Sequence, residues 1–127
     1  MSEIINPQDA ELEEIILGSC LIESKAITLI ADILRPEAFY NEKNLEIYAT
    51  LQSMYRNGQK IDIITVKEEL ARRGKLEFIG GPYTLAHISG RVASSAHLEY
   101  HARILKQKYI RRETILGFHK LLALAAE

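Results

Sequence analysis

The chain predicts an all-α domain, with a compact multi-helix head over residues 1–95 and a long helix over residues 96–127. Three observations predict it. Apolar residues recur at spacings of three and four along most of the chain, the period of a helix with one buried face. Capping residues and glycine or proline stops bracket these runs. No convincing period-two run exists: Ile61 to Val66 is rich in β-branched residues, but the capping signals around it favour a turn entering a helix.

Asn6-Pro7-Gln8-Asp9 reads as the first helix start, with Asn6 capping, Pro7 where its missing N–H costs nothing, and acids near the positive end of the dipole. Leu12, Ile15, Ile16, Cys20 and Leu21 follow at helical spacing. Gly18 among them, unfavourable by about 1 kcal/mol relative to alanine, predicts close approach of another helix. Ser24 is expected to cap a second helix through Ile27, Ile30 and Leu34, ended by the proline at position 36. Asn41 begins a third helix with Ile47, Tyr48, Leu51, Met54 and Tyr55 on its buried face, closed at Asn57-Gly58 because glycine enters the left-handed cap conformation without steric cost.

Asp62 and Thr65 offer caps to a fourth helix, Val66 to Arg73, with Glu68 completing a capping box with Thr65 and Gly74 stopping it. Leu76, Phe78 and Ile79 form an apolar loop expected to tuck under the domain. Gly81-Pro82 starts a fifth helix, stopped at Ser89-Gly90. Ser94 or Ser95 then caps the last and longest helix, which runs to the end of the chain. Its apolar residues, among them Ile104, Leu105, Tyr109, Ile115, Leu116, Phe118, Leu121, Leu122 and Leu124, lie on more than one face, so it wants partners on several sides. Leu98, Leu105 and Tyr109 are expected in the core of the head, whereas Ile115, Phe118, Leu121 and Leu122 outrun it.

The run Lys60-Ile61-Asp62-Ile63-Ile64-Thr65-Val66, with Glu69-Leu70 and then Leu76-Glu77-Phe78-Ile79-Gly80-Gly81, resembles the N-terminal domain of bacterial replicative DNA helicases of the DnaB type. The resemblance covers almost the whole chain. Pro7-Gln8-Asp9-Ala10-Glu11 with Ile16-Leu17-Gly18 looks like that family's opening helix, and Pro36-Glu37-Ala38-Phe39-Tyr40 like its next marker. Glu99-Tyr100-His101-Ala102-Arg103-Ile104 and Arg111-Arg112 then fall in the expected order. One departure stands out. The family usually has an aromatic directly before the leucine that follows the glycine pair, whereas here Thr84 precedes Leu85 and Tyr83 is one position early.

The resemblance implies a collar domain of a hexameric helicase, in which a helical hairpin follows the head and this chain stops within or just after the first hairpin helix. It implies subunit pairing through the hairpins and docking of the C-terminal domain of primase and, in some members, of a helicase loader. ATP and Mg²⁺ would be bound in the parent's C-terminal part, and DNA engaged by the full-length hexamer. On the hairpin's first helix, Ile115 and Leu121 match apolar family positions and are the expected partner contacts, with Phe118, Leu122, Arg111 and Arg112 beside them. On the head, Thr84 stands at the family's aromatic position, with Tyr83 one residue before it.

Composition narrows the chemistry. The 127 residues make one domain. Residues 1–60 carry 10 acidic and 5 basic side chains and residues 61–127 carry 7 acidic and 11 basic, so only the later half offers a basic contact surface: Arg103, Lys106, Lys108, Arg111, Arg112 and Lys120 read as a stripe on the long helix. Cys20 is the single cysteine, which excludes an internal disulfide and fits a reducing cytoplasm. It lies among apolar helix residues and reads as a packed thiol. No apolar run approaches the roughly 18 residues of a membrane span, and the start lacks the pattern of a signal peptide.

No catalytic, cofactor or metal residue is assigned within the chain. His97 and His101 share a helix face, but Glu99 lies roughly 200° around the helix from the first histidine, unlike the glutamate of a zinc protease, and no third ligand is evident unless His87 folds in. Gly80-Gly81 lacks the rest of a phosphate loop. The competing reading is a helix-turn-helix DNA module built from Val66–Arg73 and the helix after Pro82, with Arg72, Arg73 and Lys75 on phosphates. Its loop, Lys75 to Gly80, is long and apolar, and the reading helix carries no base-reading side chain before Arg91.

Overall fold

The structure is a computed structural model that describes residues 9–127. Among them every regular element is helical. In chain order these are α1 (Ala10–Ile22), α2 (Ile27–Ile30), a 3-10 turn (Pro36–Ala38), α3 (Glu42–Arg56), α4 (Ile63–Arg72), α5 (Pro82–Gly90) and α6 (Leu98–Ala126).

The caps explain the boundaries. Asp9 accepts the Leu12 N–H at 3.0 Å and so satisfies one of the free donors at the start of α1. The expected start at Asn6-Pro7 lies outside the described residues. Asn41 caps α3 by accepting the Lys43 and Asn44 N–H groups, as expected. For α4 the box closes one turn earlier than the sequence suggests. Asp62 accepts the Thr65 N–H and Thr65 Oγ1 accepts the Asp62 N–H, so Thr65 rather than Glu68 is the reciprocal partner and the helix starts at Ile63. Gly58 and Gly74 close α3 and α4 at φ +70° and +71°, the region a β-carbon disfavours.

Two expected caps fail. α2 is a single turn with Ala26 at its cap position and no side-chain cap, because Glu23 to Ala26 forms a turn in which Ser24 plays no capping part. At α6 the cap position belongs to His97, again without a side-chain bond. Ser94 instead accepts the Ala96 N–H within the preceding turn.

The core gathers residues from every element. α1 sits at the centre, packed on α3, α5 and α6, while α6 also crosses α2 and the 3-10 turn. Gly18 lies where α1 meets the end of α5: a β-carbon there would stand 2.6 Å from the Ile88 carbonyl oxygen and 2.6 Å from Val92 Cγ2. The close approach predicted from the sequence is real. Ile47, Tyr48, Leu51 and Met54 of α3 are buried, while Tyr55 is exposed. The Phe39 and Tyr48 rings stack at 4.7 Å, each buried aromatic contributing about 1.5–3 kcal/mol by the area it removes from water. Below α2, the Tyr48 hydroxyl donates to the Leu34 carbonyl at 2.8 Å and Gln52 Nε2 to the Ala31 carbonyl at 3.0 Å, which satisfies carbonyls that a one-turn helix leaves unpaired.

In the loop before α5 only Ile79 is fully buried. Leu76 packs partly against the core, but Phe78 turns outward, 44% exposed, under Lys75 Nζ at 5.6 Å from its ring.

Candidate functional site

α6 is 29 residues long, about 43 Å at the usual rise. Leu98, Ala102, Leu105 and Arg112 are its buried residues, and Tyr109 packs partly against the core. Beyond Arg112 nothing is buried. Ile115 is half-buried, and Leu116, Phe118, Leu121, Leu122 and Leu124 are 48–66% exposed. Roughly 20 Å of helix thus passes the point where the head stops covering it.

Angular position sharpens this. At about 100° per residue, Leu98, Ala102, Leu105, Tyr109 and Arg112 share one side, which meets the head. Phe118, Leu121 and Leu122 fall on the opposite side, Ile110, Ile115 and Leu124 at its edges, and Leu116 continues the line of the head-facing residues past the point where the head ends. Most of the surplus apolar residues therefore lie off the line of the domain's own core contacts, and burying them requires another surface.

The basic residues do not form the expected stripe. Spaced by the same angle, Arg103, Lys106, Lys108, Arg111, Arg112 and Lys120 point around the whole circumference. Arg103 is paired with Glu99 at 2.9 Å, and Arg111 is exposed. Arg112 is only 5% exposed. Its guanidinium lies 5.2 Å from the Tyr40 ring centre and 5.5 Å from that of Tyr109, and Nη2 donates to the Ala38 carbonyl at 3.3 Å. It belongs to the junction between arm and head rather than to the arm's outer surface.

Glu13 of α1 faces the same junction and is fully buried. Its carboxylate accepts the Tyr40 N–H at 2.7 Å, the Asn41 N–H at 3.3 Å and Asn44 Nδ2 at 3.0 Å. Burial pushes its carboxyl up from the ordinary range, while these three donors and the Arg112 charge draw it back. Neither burial was legible in the sequence, where an acid in the first turn and an Arg-Arg pair both suggest exposed positions.

Tyr83 is 77% exposed and stacks on His87 at 6.1 Å. Thr84 is half-buried, its side chain against Gly80. Both line a shallow groove of about 220 Å³ with residues of α1 and α3, and no α6 residue lines it. The structure therefore separates Tyr83 and Thr84 from the distal arm within one chain.

The remaining candidates take structural places. Among the described residues no three His, Cys, Asp or Glu side chains gather to hold a metal; His97 and His101 meet edge to face at 6.3 Å. Cys20 is buried, and desolvation pushes its thiol up to about 12, which keeps it protonated and unreactive. Of the phosphate contacts of a DNA-reading pair, Arg72 and Arg73 both bind the Glu69 carboxylate. Arg91 is tied to Glu14 at 2.6 Å and Glu11 at 3.6 Å. Three of the arginines of the helix-turn-helix reading are thus held by acids of this chain.

The described residues thus form an all-helical head whose last helix carries apolar side chains that the head leaves exposed. This chain belongs to the family of DnaB-like helicase N-terminal domains, whose model matches residues 5–107. It is 43% identical over 108 residues to the replicative DNA helicase DnaB of Rhodothermus marinus, covering 85% of this chain and 12% of that protein. Against the replicative DNA helicase DnaC of Bacillus subtilis (strain 168) it is 34% identical over 119 residues, covering 91% of this chain and 26% of the relative. The chain thus spans between about an eighth and a quarter of the length of these helicases.

The fold matches as well. The crystal structure of the N-terminal domain of DnaB helicase from Mycobacterium tuberculosis superposes with a TM-score of 0.91 at 30% identity, covering 96% of this chain and 88% of that one. A structure of a DnaB-like replicative helicase, described together with its interactions with primase, gives a TM-score of 0.81 at 28% identity over 93% of this chain and 28% of the other.

Proposed function

We propose that this domain is the collar of a hexameric replicative helicase, pairing subunits and docking primase through the exposed half of α6. The observation that carries this is the exposure of Leu116, Phe118, Leu121, Leu122 and Leu124 on the half of α6 that the head leaves uncovered. An apolar stretch of that kind, about 20 Å long, suits the flank of a second helix. Ile115 and Leu121 are the central contacts, with Phe118 and Leu122 beside them and Arg111 at the rim. Tyr83 and Thr84 mark a second contact area on the head, brought to the arm by a neighbouring subunit rather than by the same chain.

The partner is the C-terminal domain of primase, with a helicase loader as a second candidate. The domain itself supplies no chemistry. ATP and Mg²⁺ belong to the motor outside this chain, DNA is engaged by the full-length hexamer, and the setting is the cytoplasm.

The test is a calorimetric titration of this chain, and of a longer chain carrying the whole hairpin, with the primase C-terminal domain of the same organism. Binding by the longer chain that is lost on Ile115→Asp or Leu121→Asp supports docking at the arm. Absence of binding by both chains, with light scattering still reporting pairs, leaves a structural collar and removes the docking assignment.

A further inference from the structure

The segment Ala38 to Asn41 is held from both sides. From α1, the buried Glu13 carboxylate takes the Tyr40 and Asn41 N–H groups. From α6, the Arg112 guanidinium donates to the Ala38 carbonyl and lies over the Tyr40 ring. Tyr109, one turn earlier on α6, supplies the second wall of that cation site. Arg112 is also the last buried residue of α6, so the helix leaves the head at this point.

We infer that Arg112, seated between Tyr40 and Tyr109 on the Glu13-anchored segment, is a lock that sets the angle at which the arm leaves the head. A guanidinium suits this task. It is planar, stacks on aromatic faces and donates in fixed directions, so it resists rotation of α6 about its own axis as well as lifting of the helix. An apolar residue in the same place would fill space without choosing a direction. The other α6 anchors, Leu98, Ala102 and Leu105, lie two or more turns nearer the head's interior and constrain the tip less because of that lever. The lock acts whatever surface the arm meets, and so stands apart from the docking reading.

Spin labels at Glu68→Cys on α4 and Lys120→Cys on the arm report the angle directly, with labelled chains diluted into unlabelled ones so that only distances within one chain are read. Native Cys20 is buried and leaves the labelling specific. Arg112→Met is expected roughly to double the width of the distance distribution and to speed amide exchange in residues 106–115 about tenfold, with α1 and α3 unchanged. Should Arg112→Met fail to fold, Tyr109→Leu removes one wall of the site and is read the same way, with a smaller broadening. An unchanged width overturns the inference. So does exchange that rises equally in α1, α3 and α6, because Arg112 is then one more core residue.

Discussion

Gly18 of α1 lies directly beneath the backbone of Ile88 in α5, close enough that a single added β-carbon would stand 2.6 Å from the Ile88 carbonyl oxygen. Backbone cannot swing aside as a side-chain tip can. Gly18→Ala should therefore destabilise the head by about 1–3 kcal/mol, as overpacking does, despite the gain of about 1 kcal/mol in helix propensity. Urea unfolding measures it. An unchanged or raised midpoint would mean that α5 yields at little cost.

The two kinds of cap make a paired prediction. Asp62→Ala should cost about 1 kcal/mol, since it strips the Thr65 N–H of its acceptor. Ser24→Ala should fall within about ±0.5 kcal/mol, because no helix start depends on that hydroxyl. Equal losses in thermal melts of the two variants would contradict the assignment of the caps.

Glu69 gives a pH dependence with a definite sign. Hydrogen bonds from Arg72, then Arg73, hold its carboxyl down at about 2 against an ordinary 4.5. The unfolded chain therefore takes up the proton first as pH falls. The stabilisation is complete above about 4.5 and drains away as pH drops towards about 2. Glu69→Gln should melt below the unsubstituted chain at neutral pH, and the gap should close across that window. A gap that is constant with pH would assign the loss to packing alone.

On α6, substitutions should sort by side. Leu105→Asp places a charge in the core and should unfold the head, well above 3 kcal/mol by the usual cost of an unpaired buried charge, on the order of several kcal/mol. Phe118→Asp, at a residue 63% exposed, should leave the melting of the head within about 0.5 kcal/mol while abolishing self-association in sedimentation. Retained association would move the pairing surface elsewhere.

Much of the head was legible because its elements are bounded by residues whose backbone preferences admit few alternatives: Asn41, Gly58, Gly74 and Gly81-Pro82 all stand where the sequence puts them. The errors are local competitions between neighbours. Ser24, Ser94 and Ser95 are good caps, but short turns beside them set the helix starts. At α4, Asp62 outcompetes Thr65 for the cap position because it precedes it by one turn and holds the Thr65 amide. Phe78 turns outward because the buried place in its loop goes to Ile79.

The arm was legible in outline and not in detail. A surplus of apolar residues after Arg112 announces an unshared surface, and helical angles place Phe118, Leu121 and Leu122 opposite the head-facing line. Whether a given cation is outside or inside depends on what tertiary structure places over it. Arg111 and Arg112 are adjacent in sequence and equal in charge, but Arg112 is seated against the Tyr40 and Tyr109 rings and the Ala38 carbonyl, whereas Arg111 is exposed.

The bare half of α6 also sets how the chain comes apart. Its last dozen or so residues are about the length at which an isolated helix is marginal in water, and the head lends them few contacts. They should fray on their own at high dilution and gain helicity as neighbours cover the exposed apolar residues, since association with the folded form stabilises it by mass action. Melting is then expected in two stages whose separation narrows with rising protein concentration: the head answers to temperature alone, and the arm to company.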